Sequence, residues 1–323
     1  MNQNTSLAVA APGVALALPA LIADAGPSAA HHTLEFFTAR IPNAHTREAY
    51  GRAVLRFCHW CEERGVPLEQ ITSPLVAAYL QHLKRELSTA SVKQHLAGLR
   101  HWLDWLTERG SLPLNPAASV RGPRLVVHEG KTPVLERLEA KRLLESIDGT
   151  DIVSLRDRAL LSVMLFGFVR VGAVVKLRVR DFDDAGADAW LALHEKGGKE
   201  RRIPAHHLVR EYVRAYREAA ELEARSKAPL FQSAPRRGRK LTGQGMHRAD
   251  VWAMVKRRCA AAGLGANICN HSFRATGITI HQENGGRIED AAELAGHAST
   301  RTTQLYNHKG RKIARAEVER VQL

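Results

Sequence analysis

Carboxylates are scarce in this chain. Across 323 residues, 33 Asp and Glu face 47 Lys and Arg, a formal net charge of +14 with histidine neutral. So large an imbalance argues for a polyanionic partner, and nucleic acid is the usual one. An anionic membrane surface would be the rival. Long apolar runs and lipidation signals are missing, however, so neither spanning nor anchoring is supported and no membrane partner is expected. Cysteine is scarce too, at four residues. Cys58, Cys61, Cys259 and Cys269 make no disulfide framework, which fits a reducing cytoplasm. Cys58-His-Trp-Cys61 has the form of a C-x-x-C pair, but zinc needs a second ligand pair, and Cys259 and Cys269 lack that spacing. Tyr50, Val54, Phe57, Cys58 and Cys61 fall on one helical stripe, so the two thiols are expected to pack as small hydrophobes. A carboxylate cluster of the kind a two-metal nuclease needs is also lacking. We expect no metal and no cofactor.

The remainder reads as globular protein, with 45% apolar and 25% charged residues and a length suited to two domains. Residues 1–30 are rich in Ala, Leu and Val, yet no Lys or Arg precedes their apolar part, and Pro12 and Pro19 interrupt it. They read as a disordered leader and not as a signal peptide. Residues 31–112 read as an all-helical domain. One helix opens near His45-Thr46-Arg47-Glu48 and stops at Gly65 and Pro67. Another starts at Ser73-Pro74, with Pro74 suited to a first helical turn. A third runs from Ser88 to Glu108, with Val92, Leu96, Leu99, Trp102, Leu103 and Leu106 at helical spacing. Residues 113–134 form a linker marked by Pro113, Asn115-Pro116, Gly122-Pro123 and Pro133. The second domain, 135–308, opens with helices over 136–147 and 154–167. Three short strands follow at 177–182, 190–194 and 201–204, the last two joined by a Gly197-Gly198 turn. Helices then return, and 309–323 form a basic tail.

Six residues of the second domain could share one reaction. Arg170 follows an apolar helix in FGFVRVGAVVKL. Lys196 lies at the hairpin tip in HEKGGKERRIP. His271 and Arg274, three apart in NHSFR, share a helical face. His297 follows a glycine in LAGH, and Tyr306 comes nine residues later. Taken singly, each has an ordinary explanation as a surface ion pair, a helix cap or a half-buried aromatic. Together they suit attack on a phosphodiester. Two guanidiniums can clamp the non-bridging oxygens with charge-assisted hydrogen bonds. Preorganised donors of this kind often supply the largest catalytic term. A lysine can protonate the leaving alkoxide. A histidine can help the phenol lose its proton.

The order Arg170…Lys196…His271-x-x-Arg274…Gly296-His297…Tyr306 resembles the tyrosine recombinase (phage integrase) family at every catalytic position. EKGGKERRIP resembles its hairpin motif, and AGHASTRTTQLY its closing motif. The resemblance covers roughly residues 33–310. It implies a mainly α fold with a small antiparallel β-sheet. A helical core-binding (SAM-like) domain would precede a catalytic domain, and the two would form a C-shaped clamp on duplex DNA. It implies a site-specific recombinase in which Tyr306 attacks the scissile phosphate to give a 3′-phosphotyrosine and a free 5′-hydroxyl. Arg170 and Arg274 hold the phosphate, and Lys196 protonates the 5′-oxygen. His271 contacts the phosphate and accepts the Tyr306 proton, and His297 donates to a non-bridging oxygen. Implied partners are double-stranded DNA with an inverted-repeat core site and three further copies, making a homotetramer on two sites. An accessory protein is a further candidate, and the implied location is the nucleoid in the cytoplasm. Lys93, Gln94, Arg100, Arg121, Arg124, Lys131, Lys199 and Arg201 are the expected DNA contacts. The tail has two readings, a frayed basic segment or one that docks on a neighbouring protomer through Ile313, Val318 and Val321. One departure stands out: Ala173 occupies the place where the family commonly has an acid, and Asp181 and Asp183 are candidate substitutes. Phe273 replaces the usual Leu, an apolar swap. A type IB topoisomerase and a catalytically weak DNA-binding accessory protein are the alternatives.

Overall fold

The computed structural model describes residues 18–124, 132–149, 151–194, 198, 200–235 and 240–305. The chain divides into two compact units, Met1–Val126 and Val127–Leu323, each built on its own apolar core.

The first unit is helical. It contains α1 (Ala20–Ala23), α2 (Pro27–Glu35) running into a π-helical turn at Phe36–Arg40, α3 (Ala44–Glu62), α4 (Ser73–Leu83) and α5 (Thr89–Glu108). Caps set the starts. Asn43 accepts the amides of His45 and Thr46 ahead of α3, and Ser88 accepts that of Ser91 ahead of α5. Side-chain oxygens at these positions satisfy amides that a helix leaves unpaired. The expected stripes are buried: Val54, Phe57, Cys58 and Cys61 on α3, and Val92, Leu96, Leu99, Trp102, Leu103 and Leu106 on α5. The two thiols therefore pack as apolar groups, and burial raises both pKa values, that of Cys61 to about 12.

Two boundaries differ from expectation. Residues 18–30, read as leader, are largely helical here: Leu21 and Ile22 are buried, and the Leu21 amide donates to Glu62 of α3 at 2.9 Å. Prolines at 12 and 19 suggested disorder, but Pro19 and Pro27 each stand at a helix start, where a missing N–H costs nothing. Residues 1–17 lie outside the described residues. The front of the linker also belongs to this unit. Ala117 and Val120 are buried in its core, and Asn115 holds the turn by accepting the Ala117 amide at 2.7 Å.

The second unit surrounds α7 (Ile152–Phe166), which is buried on nearly all sides. Before it comes α6 (Arg137–Glu145). After it come the single turn α8 (Val171–Val174) and a three-stranded antiparallel sheet of β1 (Phe182–Asp183), β2 (Trp190–His194) and β3 (Glu200–Pro204), in that order. The register pairs Leu193 with Arg201 and Leu191 with Ile203. Much of the expected first strand is a 3-10 turn, Val179–Asp181, which leaves β1 two residues long. Then come α9 (His207–Ala219), α10 (Arg248–Ala261), α11 (Asn270–Glu283), α12 (Ile288–Ala295) and α13 (Thr300–Gln304). Asp157 of α7, with no solvent exposure, meets its neighbour Arg156 at 2.7 Å and Arg257 and Arg258 of α10 at 3.2 and 2.9 Å. Arg156 is itself 4% exposed and also donates to the Gln232 carbonyl at 2.8 Å.

Removing that carboxylate strands a buried guanidinium. Asp157→Ala is expected to cost about 3–5 kcal/mol in urea unfolding of the full chain. A loss below about 1 kcal/mol, the range of an exposed pair, would show that the cluster does not anchor α10 to α7.

Candidate active site

Arg274 lies at the centre of the site. It sits on the second turn of α11 and is 1% exposed. Its Nη1 donates to the Phe168 carbonyl and its Nη2 to the Ala295 carbonyl, the latter at 2.6 Å. Phe168 has a left-handed backbone, φ +52°, a conformation that costs a non-glycine residue roughly 1–3 kcal/mol unless its surroundings hold it. The Arg274 bond is one such constraint. Close approach of helices is another. A Cβ at Gly277 would stand 2.0 Å from the Leu165 carbonyl oxygen and 2.7 Å from the Phe168 ring. Only glycine lets α11 come so near the end of α7.

Two residues beyond Phe168 is Arg170. Its backbone is extended and caps α8, its carbonyl accepting the amides of Ala173 and Val174 at 2.8 and 3.1 Å. Its side chain is partly exposed. His271 lies in the first turn of α11, at the surface. Partial desolvation and the charges of Arg274 and Arg170 lower its pKa.

His297 is placed by the end of α12. Gly296 is left-handed at φ +61°, its amide bonds the Glu293 carbonyl at 2.9 Å, and the His297 amide bonds the Ala292 carbonyl at 2.9 Å. This is a Schellman ending, and the left-handed residue favours glycine. The His297 ring, half-buried, meets Thr303 of α13 at 2.8 Å through Nδ1. Desolvation first, then the charges of Arg274, Arg170 and Arg201, bring its pKa down from 6.5 to about 4. The structure therefore brings Arg170, His271, Arg274 and His297 together. Lys196 and Tyr306 lie outside the described residues, as do Lys131, Lys199 and the tail 309–323. Thr303, buried, ends three residues before Tyr306.

The expected DNA contacts separate into groups. Lys93, Gln94, Arg121 and Arg124 are exposed on the first unit. Arg100 is not a free surface cation: its Nε donates to the Ala117 carbonyl at 3.1 Å and its Nη2 to that of Val120, so it ties down the linker. Arg201 is likewise engaged with protein, through Nη1 to the carbonyls of Glu293, at 3.1 Å, and Leu294. Neither role was visible in the sequence, because the acceptors are backbone atoms distant along the chain. Ala173 is buried, so a methyl group fills the place of the acid. The two candidate substitutes have other partners. Asp181 accepts the Arg178 amide at 2.8 Å and meets His194, and Asp183 pairs with Arg202 at 2.7 Å. The Arg248 guanidinium packs on Gly172, 2.7 Å from where a Cβ would stand.

Residues 133–312 match the phage integrase family, and residues 37–110 match the N-terminal SAM-like domain of phage integrases. Tyrosine recombinase XerC of Serratia marcescens is 30% identical over 267 residues, covering 81% of this chain and 84% of that protein. Among solved structures, the fold is similar to the XerH site-specific recombinase bound to its palindromic difH substrate in a post-cleavage complex. The TM-score there is 0.67 at 20% identity, over 82% of this chain and 76% of that one. It is also similar to a lambda integrase tetramer bound to a Holliday junction, with a TM-score of 0.66 at 18% identity, over 90% and 79% of the two chains.

The depressed His297 pKa has a measurable consequence. Its imidazole is expected to titrate near pH 4 by NMR, and a midpoint near 6.5 would contradict the site geometry. The folded state resists protonation of a group that the unfolded chain protonates below about pH 6.5. The contribution of this group to stability is therefore intact above pH 6.5 and declines as pH falls toward 4.

Proposed function

The chain belongs to the phage integrase family of tyrosine recombinases, and on that premise we propose that it cuts and rejoins DNA at a specific site through a 3′-phosphotyrosyl link at Tyr306. The observation that carries this reading is the convergence of Arg170, His271, Arg274 and His297 from three separate stretches of chain. In the proposed step, the Tyr306 oxygen attacks the scissile phosphorus and the bond to the 5′-oxygen breaks. Arg170 and Arg274 offset the charge gathering on the non-bridging oxygens. His271, kept neutral by its surroundings, is free to take the phenolic proton. His297, its Nδ1 held against the Thr303 hydroxyl, acts as the Nε2–H tautomer and donates to a non-bridging oxygen. Lys196 gives its proton to the leaving 5′-oxygen. The reaction as proposed needs no metal, since guanidinium and ammonium groups neutralise the phosphate.

The fuller cycle is part of the same proposal: four protomers on two inverted-repeat sites, exchange through a Holliday junction, and service to a mobile element or to replicon dimers in the cytoplasm. The exposed Lys93, Gln94, Arg121 and Arg124, together with Lys131 and Lys199, are proposed to meet the DNA. Among the described residues no helix is long and apolar enough to cross a membrane. One observation favours a second reading. With Ala173 buried where an acid is common, and with Asp181 and Asp183 engaged elsewhere, the protein could be a catalytically weak DNA-binding accessory protein.

A suicide substrate nicked beside the candidate site separates the readings. A recombinase gives a covalent protein–DNA adduct on a denaturing gel, and Tyr306→Phe abolishes it. Tight sequence-specific binding with no adduct from the wild-type chain would favour the accessory reading. Relaxation of any supercoiled plasmid would favour a topoisomerase. Whichever holds, DNA affinity is expected to fall steeply with added salt.

A further inference from the structure

The last turn of α12 is satisfied from two directions. A helix leaves its final four carbonyls without partners of its own. Here the Ala292 and Glu293 carbonyls accept the amides of His297 and Gly296, both at 2.9 Å. The Ala295 carbonyl takes Arg274 Nη2 at 2.6 Å, and those of Glu293 and Leu294 take Arg201 Nη1. Arg201 stands on β3, shortly after Lys196 and Lys199 in sequence, and it shares a sheet face with the buried Ile203. Its neighbour Arg202 points the other way, pairing with Asp183 and lying over the Trp190 ring. Two adjacent arginines thus have different work, and the inward one spans 92 and 93 positions of sequence to reach α12.

We propose that Arg201 is a positioning residue that fastens β3, the strand that follows Lys196 in sequence, to the helix end that precedes His297. The inference rests on the recombinase reading of the site. Its physical basis is direct. β3 cannot shift relative to α12 without breaking both Arg201 bonds, and a cation at a helix C-terminus is further favoured by the helix dipole. General-acid and phosphate-binding groups must hold their geometry closely, because a displacement of about 1 Å can cost about a hundredfold in rate. A phosphate contact would leave Arg201 turned outward toward DNA, whereas its Nη1 faces the protein.

The test compares Arg201→Ala and Arg201→Lys with wild type. Single-turnover adduct formation on the suicide substrate would be read beside DNA affinity on uncut duplex at several salt concentrations. The expected result for Arg201→Ala is adduct formation slowed by at least about tenfold, with DNA affinity and its salt slope unchanged. Arg201→Lys should recover part of the rate, since one ammonium can still reach these carbonyls. By NMR, the His297 titration should move up toward its ordinary value in Arg201→Ala. Weaker DNA binding with a salt slope smaller by about one would make Arg201 a phosphate contact and overturn the proposal. Unchanged adduct formation would overturn it as well. If wild type itself forms no adduct, the recombinase reading fails. Hydrogen exchange at the Gly296 and His297 amides then still decides whether Arg201 holds that turn, and unchanged protection in Arg201→Ala would overturn the positioning role on its own.

Discussion

One buried guanidinium organises the catalytic unit. Arg274 reaches the Phe168 carbonyl with one nitrogen and the Ala295 carbonyl with another. It so connects the turn before Arg170, the helix of His271 and the turn before His297. Burying an arginine is costly unless its donors are met by well-placed acceptors. The Ala295 carbonyl, left over at the end of α12, and the Phe168 carbonyl, in the turn after α7, supply them. Gly277 and the left-handed Phe168 make sense as conditions of this contact. The first lets α11 approach, and the second belongs to the turn whose carbonyl Arg274 reaches.

The electrostatics follow from the same packing. Arg170, Arg201 and Arg274 all act on His297, and the first and last act on His271. Both imidazoles are driven toward neutrality. A site dense in fixed positive charge suits a phosphate whose negative charge grows in the transition state. The buried Ala173 brings no carboxylate to this cluster. The cost is mutual repulsion among cations in the free protein. Hydrogen bonds from Arg201 and Arg274 to the last carbonyls of α12, where the helix dipole is negative, offset part of it.

Much of this was legible in the sequence. The helical stripes of α3 and α5 were visible because apolar residues recur at the helical period, and β2 because Trp190–His194 is bounded by turn residues. The motif order offered Arg170, His271, Arg274 and His297 as candidates from residue order and spacing alone. Contacts between side chains and distant backbone were not legible. Arg100 and Arg201 read as surface cations because pattern alone cannot show that a carbonyl 17 or 92 positions away will receive the guanidinium. The order of residues 18–30 was hidden for a similar reason: Leu21 and Ile22 are two apolar residues in a weak local pattern, and burial against α3 gives them structure.

The most direct measurement of the central claim is a crystal structure of the Arg274→Gln variant. A glutamine is too short to bridge both acceptors. If Arg274 holds the site together, the Phe168–Arg170 turn and the Ala295–His297 turn will part, while the α7 core stays unchanged. If both turns keep their wild-type positions, the guanidinium serves only the phosphate, and the site owes its shape to something else.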